Sequence, residues 1–280
     1  MQPSIFVCPL CRAPLAPDSD NRALRCASGH SFDRAAKGYV HLLPSNRMHT
    51  KLPGDSKAMV DARRRFLDAG YYQPFSDAIC RILTRELAPS PAPVLLDAGC
   101  GEGFYTAALH RALTEKKIPA RVGGFDISKL AVNAAAGRDR RLELAVASCF
   151  AIPVADGAVD ALLSVFSPIV PTEFSRVVRP GGWLLLAVAG ERHLWGLKQV
   201  LYDAPYENEH RDTDYPGFSL LSRESIRADV TIEGADRIGD LFSMTPYYWK
   251  TPVEGARRLA ALDLLQTELG FDLLLYRRNG

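Results

Sequence analysis

The sequence predicts an α/β fold, a doubly wound Rossmann-like parallel sheet with a ligand crevice, preceded by a small cysteine-bearing module. Three observations predict it. The apolar run Val94-Leu95-Leu96 ends in Asp97, and alternating glycines (Gly99, Gly101, Gly103) lead from it into a helical stretch, Tyr105 to Leu113. A second run, Arg121 to Phe125, ends in Asp126, 23 residues after Gly103, close to the ~20 expected between a glycine turn and the next acid of a βαβ unit. Ahead of both lie Cys8-Pro9-Leu10-Cys11 and Cys26-Ala27-Ser28-Gly29-His30, two knuckles separated by 14 residues.

The knuckles come first in chain order. Two close ligand pairs joined by a hairpin-length spacer suit tetrahedral zinc in a Cys3His site. Cys8, Cys11, Cys26 and His30 leave no open coordination position, so the metal is expected to be structural. A forty-residue segment with few large apolar residues needs that folding energy. Leu42-Leu43-Pro44 ends the module, and the polar stretch Asn46 to Ser56 connects it onward with a Pro53-Gly54 turn. Asp55 or Ser56 is expected to cap a helix from Lys57 to about Ala69, stopped by Gly70. That helix carries Arg63, Arg64 and Arg65, which suit a solvated face or contact with phosphate.

The remaining elements fit the sheet. Apolar spacing (Phe75, Ala78, Ile79, Ile82, Leu83) predicts a helix over 75–87. Strands are expected at 93–97, 121–126, 142–147 and 159–166, then a helix at 173–178 stopped by Arg179-Pro180-Gly181-Gly182, and a strand at 183–189. Residues 190–222, with His193 and His210, read as a turn-rich lid or recognition element, and 224–232 and 271–277 as the last strands. Between them Met244-Thr245-Pro246-Tyr247-Tyr248-Trp249 offers aromatics for packing or for stacking a nucleobase. Ligands of open α/β sheets bind at the carboxyl ends of strands, so Asp97, Asp126, Ser148 and Ser167 should meet in one crevice. Cys80, Cys100 and Cys149 read as small buried fillers.

The glycine spacing is G-x-G-x-G, not the dinucleotide G-x-G-x-x-G. An acid directly before it would repel a phosphate and welcome an ammonium or sulfonium. The run resembles motif I of the class I methyltransferases that use S-adenosylmethionine. In that reading Asp97, Gly99 and Gly101 line the cofactor, Asp126 holds its ribose hydroxyls, and Ser148 lies where such enzymes contact adenine.

Composition bounds the reading. The 280 residues suffice for one sizeable α/β domain plus a small module, and 47% hydrophobic with 24% charged residues is ordinary for a globular protein. No apolar run approaches the ~20 residues of a membrane span, and no charged n-region precedes an apolar h-region. A cytoplasmic location without a membrane partner is therefore expected. The net charge is +2, yet residues 1–75 hold 11 Lys/Arg against 6 Asp/Glu. A basic front end on a slightly acidic body points to a polyanionic partner.

Across the chain, CPLC, C…GH-S-F-D, KGYVHLLP, PGDS, ARRRFLDAGYYQP, DAGCGEGFYT, VVRPGGW, RHL and MTPYYW resemble, in order, the RlmA family of bacterial 23S rRNA guanine-N1 methyltransferases. The resemblance implies a zinc module (1–43) that helps recognise an rRNA hairpin, a linker with a basic helix (44–74), and a methyltransferase domain (75–280). It implies zinc on Cys8, Cys11, Cys26 and His30, and cofactor contacts at Tyr72, Gly101, Glu102 and His193. Arg63, Arg64, Arg65, Tyr247 and Trp249 are the RNA-binding candidates. The MTP-aromatic-x-W and RHL segments look more like the Gram-negative branch. The residues leave the general base unassigned, with His193 a candidate, and allow a homodimer. Two other readings stay open: a small-molecule S-adenosylmethionine-dependent methyltransferase with a structural zinc module, and a zinc-dependent RNA-binding protein with a degenerate body.

Overall fold

The computed structural model describes residues 3–44, 53–209 and 213–280. Most of the polar connector (45–52) and His210 lie outside these residues. The described chain forms an antiparallel three-stranded sheet, β1 (Ala16–Pro17), β2 (Ala23–Arg25) and β3 (Ser31–Asp33), followed by an eight-stranded sheet with helices on both faces.

The large sheet takes β4 (Val40–His41), β5 (Val94–Ala98), β6 (Arg121–Asp126), β7 (Glu143–Val146), β8 (Val159–Val165), β9 (Val178–Ala189), β10 (Phe218–Glu233) and β11 (Leu264–Arg278). Their spatial order is β10-β11-β9-β8-β5-β6-β7-β4. β4 through β9 run parallel, and β11 inserts antiparallel between β9 and β10. The order reverses between β5 and β8, which opens a crevice at their carboxyl ends. Leu95 and Leu96 of β5 and Leu162 and Leu163 of β8 are fully buried on both faces, as a central parallel strand requires.

Helices α1 (Lys57–Asp68), α2 (Gln73–Leu87), α3 (Phe104–Glu115), α4 (Lys129–Arg138), α5 (Pro171–Val177), α6 (Trp195–Leu201), α7 (Ala235–Ser243) and α8 (Val253–Ala260) complete the layers. Ser56 caps α1, its Oγ accepting from the Met59 N–H at 3.3 Å. Ser128 caps α4 in the same way through Ala131. Among the described residues no helix is long and apolar enough to cross a membrane.

Four local expectations need correction. The Arg179–Gly182 segment does not precede a strand but is a bulge inside β9. Val178 pairs with Val159, the register shifts, and pairing resumes at Trp183 with Ala161. β10 and β11 are far longer than 224–232 and 271–277, because their backbones pair continuously from Phe218–Arg278 to Glu233–Leu264 with one irregularity. The 190–222 region contains a regular element, α6, whose Leu197 and Leu201 are fully buried. Finally, the cysteine module supplies a strand to the main sheet. β4 pairs with β7, and the Leu42 N–H donates to Val146 O at 2.9 Å.

That junction is extensive. The Ser4 hydroxyl and Ile5 N–H both donate to the Glu143 carboxylate, and Val7 N–H donates to Pro153 O. Ile5, Phe6, Leu15, Val40 and Leu42 share one buried core with Leu96, Phe125, Ala145, Ile152 and Val154.

Candidate cofactor crevice and metal centre

The metal candidates converge. The ligand atoms of Cys8, Cys11, Cys26 and His30 all lie within 4.8 Å of one another. Cys11 Sγ is 3.7 Å from Cys26 Sγ, and His30 Nδ1 lies 3.5 Å from Cys8 Sγ and 3.4 Å from Cys26 Sγ. A tetrahedron with Zn–S of about 2.3 Å and Zn–N of about 2.0–2.1 Å has S···S edges of about 3.8 Å and S···N edges of about 3.5 Å. These separations match the ligand-to-ligand edges of such a site, and Nδ1 is the nitrogen that would face a metal. The Ala13 backbone N–H draws the Cys11 thiol down to about 6, toward the thiolate a metal needs. The donor set fits structural zinc.

The crevice is built where β5 and β6 end. Gly99 and Gly103 both have left-handed backbones, at φ 83° and 84°. A Cβ on Gly99 would lie 2.1 Å from the Ser167 hydroxyl, and one on Gly103 would meet Ala135 Cβ at 2.8 Å. Only glycine lets the loop pass between the β8 loop and α4. Asp97 at the end of β5 is buried, and one carboxylate oxygen accepts from the Thr106 hydroxyl at 2.5 Å. Its Oδ1 is buried without a partner. Burial, with the Asp126 charge adding to it, pushes this carboxyl up to about 7 against the Thr106 bond. A buried carboxylate oxygen with no donor beside a backbone cradle suits a cationic ligand, so the site fits the ammonium-bearing end of S-adenosylmethionine.

Asp126 is half-buried at the end of β6, and its oxygens accept from Gly101 N–H at 3.0 Å and Ser128 N–H at 2.8 Å. Each oxygen retains acceptor capacity for a further donor. Ser148 and Cys149 follow β7, and the Cys149 thiol stands 3.5 Å from the Ser167 hydroxyl. Asp97, Asp126, Ser148 and Ser167 thus gather around the same strand ends. Of the fillers, Cys100 and Cys149 are buried and Cys80 is half-buried.

Tyr72 and His193 meet behind the crevice. The Gly270 N–H donates to His193 Nδ1 at 3.1 Å, which leaves the ring hydrogen on Nε2 to donate to the Tyr72 hydroxyl at 3.4 Å. Burial first, then Lys198 and Arg227, pulls the His193 pKa down to about 3. Both ring nitrogens of His193 are therefore engaged, Nδ1 as acceptor and Nε2 as donor. Glu102 is also buried, and its Oε2 pairs with Arg138.

The basic helix differs from a free phosphate-binding face. Arg63 pairs with Asp55, Arg64 with Asp68 at 3.6 Å, and Arg65 with Asp240 through two bonds of 2.5 and 2.8 Å. Tyr247 is half-buried beside Tyr202 and the Lys198 ammonium, whereas Trp249 is 71% exposed.

Two residues were missed from sequence. Ile127, the residue after Asp126, is exposed at 37% next to the cradle. Phe166 directly follows β8 at a left-handed φ of 50°, is 49% exposed, and packs its ring 4.7 Å from Phe271 and 5.5 Å from His193. A bulky residue in that conformation is strained, and such strain concentrates at functional sites. The available signal was its place directly before Ser167-Pro168.

Comparison with known proteins agrees with both halves. A family model described as RlmA, N-terminal, matches residues 6–51, and a methyltransferase-domain model matches residues 96–186. The 23S rRNA (guanine(748)-N(1))-methyltransferase of Streptomyces fradiae is 36% identical over 262 residues, covering 91% of this chain and 90% of the relative. A Micromonospora griseorubida protein, provisionally named a 23S rRNA (guanine-N(1)-)-methyltransferase, is 40% identical over 91% of both chains. A Bacillus subtilis protein with the same provisional name is 30% identical over 97% of this chain and 96% of its own. These three sources give the Gram-negative expectation no support. Similarity of this depth runs through zinc knuckles and sheet alike, and the chain belongs to the RlmA family of 23S rRNA (guanine-N1)-methyltransferases.

Proposed function

We propose that this protein methylates N1 of one guanine in a 23S rRNA hairpin, in the cytoplasm, using S-adenosylmethionine. The observation that carries the reading is the crevice. A buried carboxylate with an unpartnered oxygen sits under a glycine cradle, in a chain similar along its length to guanine-N1 methyltransferases. When bound, the cofactor supplies a methyl group already activated on a sulfonium. The protein's contribution is then chiefly alignment, worth up to about 7–11 kcal/mol in well-oriented cases.

Asp97 and the loop hold the amino-acid end, Asp126 the ribose, and Ser148 the adenine side. Guanine N1 lies on the Watson–Crick edge, so the base must be unpaired or extruded to reach the crevice. Phe166, exposed beside Ser167, offers the extruded base an aromatic face. Trp249 and the zinc module are candidates to hold the surrounding RNA. His193 orients Tyr72 and leaves the N1 proton to another acceptor.

The test is labelled methyl transfer to rRNA from a strain lacking the enzyme, with mass-spectrometric mapping of methylguanosine. Label at a single 23S guanine is the expected result. The position named for the Streptomyces relative is the first to map. Label confined to a metabolite extract would overturn the proposal and favour a small-molecule substrate. Light scattering tests the homodimer.

A further inference from the structure

We infer that Arg63 belongs to the cofactor crevice rather than to the RNA face, and binds the carboxylate of the cofactor's amino-acid end together with the Tyr72 and Tyr105 hydroxyls. The inference depends on cofactor use and not on which RNA is methylated.

Arg63 stands over the glycine loop. Its Nη1 would lie 3.9 Å from a Cβ on Gly101. The guanidinium is fixed from two sides, by Asp55 in the segment before α1 and by Met244 O after α7, to which Nη2 donates at 3.3 Å. The side chain is only 25% exposed. A phosphate approaching from outside would also meet the carboxylate of Asp55 and the nearby Asp126.

Polar groups near it are unsatisfied in a particular pattern. The Tyr105 hydroxyl is buried without a partner. The Tyr72 hydroxyl receives the His193 Nε2–H, so its own hydrogen has no acceptor among the described residues. Both hydroxyls feel the Arg63 charge, which opposes the upward push of burial on each. These two donors and a guanidinium suit an anion. Asp97 Oδ1, at the end of β5 just before the loop, is an acceptor without a donor and suits a cation. An α-amino acid presents an ammonium and a carboxylate on one carbon, and so answers both demands at once. A phosphate answers only one.

Calorimetry with zinc-loaded protein tests this using two ligands. S-adenosylhomocysteine carries the amino-acid end, and 5′-methylthioadenosine lacks it. Arg63→Met is expected to weaken S-adenosylhomocysteine about 10- to 100-fold, the range for losing a charge-assisted bond, while methylthioadenosine changes less than about threefold. Arg63→Lys should recover part of the loss, and Tyr105→Phe should show a smaller loss of the same selectivity. Retained methylthioadenosine binding also reports that the variant is folded. Equal weakening of both ligands, or of neither, would overturn the inference. If the wild type bound neither ligand, the cofactor assignment itself would fall, and this inference with it.

Discussion

At the residue scale the decisive feature is a carboxylate buried ahead of its counter-ion. Asp97 is held up to about 7 in the absence of ligand. Its usual value is 3.8, so between these values the folded state keeps a proton that the unfolded state has lost. Stability of the ligand-free protein should therefore fall as pH rises through that window. A bound ammonium favours the ionised form, so cofactor affinity should rise with pH up to about 7 and then level. Titration calorimetry in two buffers of different ionisation enthalpy at pH 6 should record proton release on binding. Asp97→Asn, which keeps an acceptor for Thr106, should weaken S-adenosylhomocysteine about 10- to 100-fold and flatten the pH dependence. Phe166 is expected to act on the other substrate. Phe166→Ala should leave cofactor affinity within about twofold and lower kcat/KM on rRNA about 5- to 150-fold, the value of one base stacked on an aromatic. Asp97 and Asp126 were legible because an acid at the end of a buried strand is costly unless backbone donors or a ligand answer it, and the glycines beside it make room for both. Arg63 was legible only as a charge. Its direction into the crevice depends on Asp55 and Met244 O, one of them 181 residues away, and no local pattern carries that.

At the element scale, the parallel strands were readable because central strands are apolar on both faces and end where the loops begin. The ends of β10 and β11 were not, because much of β10 alternates exposed and half-buried residues outside the core, and only pairing with β11 holds them extended. β4 was illegible for a similar reason. Two residues carry no periodicity, and their place in the sheet is set by Ala145 and Val146 of β7. The junction between module and sheet also bears on the cofactor. The module also touches the loop after β7: Phe6 bridges Val154, Val7 bonds Pro153, and the Arg12 guanidinium donates to Ile152 O and Val154 O. That loop begins at Ser148, on the expected adenine side. Removing zinc, by chelation or by Cys11→Ser, should therefore weaken 5′-methylthioadenosine as well as S-adenosylhomocysteine, by the same factor. Competition binding with both ligands checks it. A zinc module that served RNA alone would leave both affinities unchanged.

At the scale of the whole molecule, a basic front end and a catalytic body are joined through one sheet and one core. Sequence composition divides them at about residue 43, whereas burial does not. Phe6 and Leu15 from the module and Phe125 and Ile152 from the body are each at most 1% exposed within the same cluster. Parts that share buried apolar surface lose it together, since opening either exposes the other's contact face. Structural zinc contributes about 10–16 kcal/mol of binding free energy in isolated fingers, and here that energy should bear on the joint unit. Zinc release followed by a chromogenic chelator and helix loss followed by circular dichroism should therefore give the same midpoint in denaturant. Saturating S-adenosylhomocysteine should move both midpoints upward equally. Chelated protein should melt about 5–10 °C lower, as a loss of several kcal/mol implies for a chain of this size. A zinc-release transition well below the helical one, unmoved by ligand, would mean that the front module opens independently of the sheet.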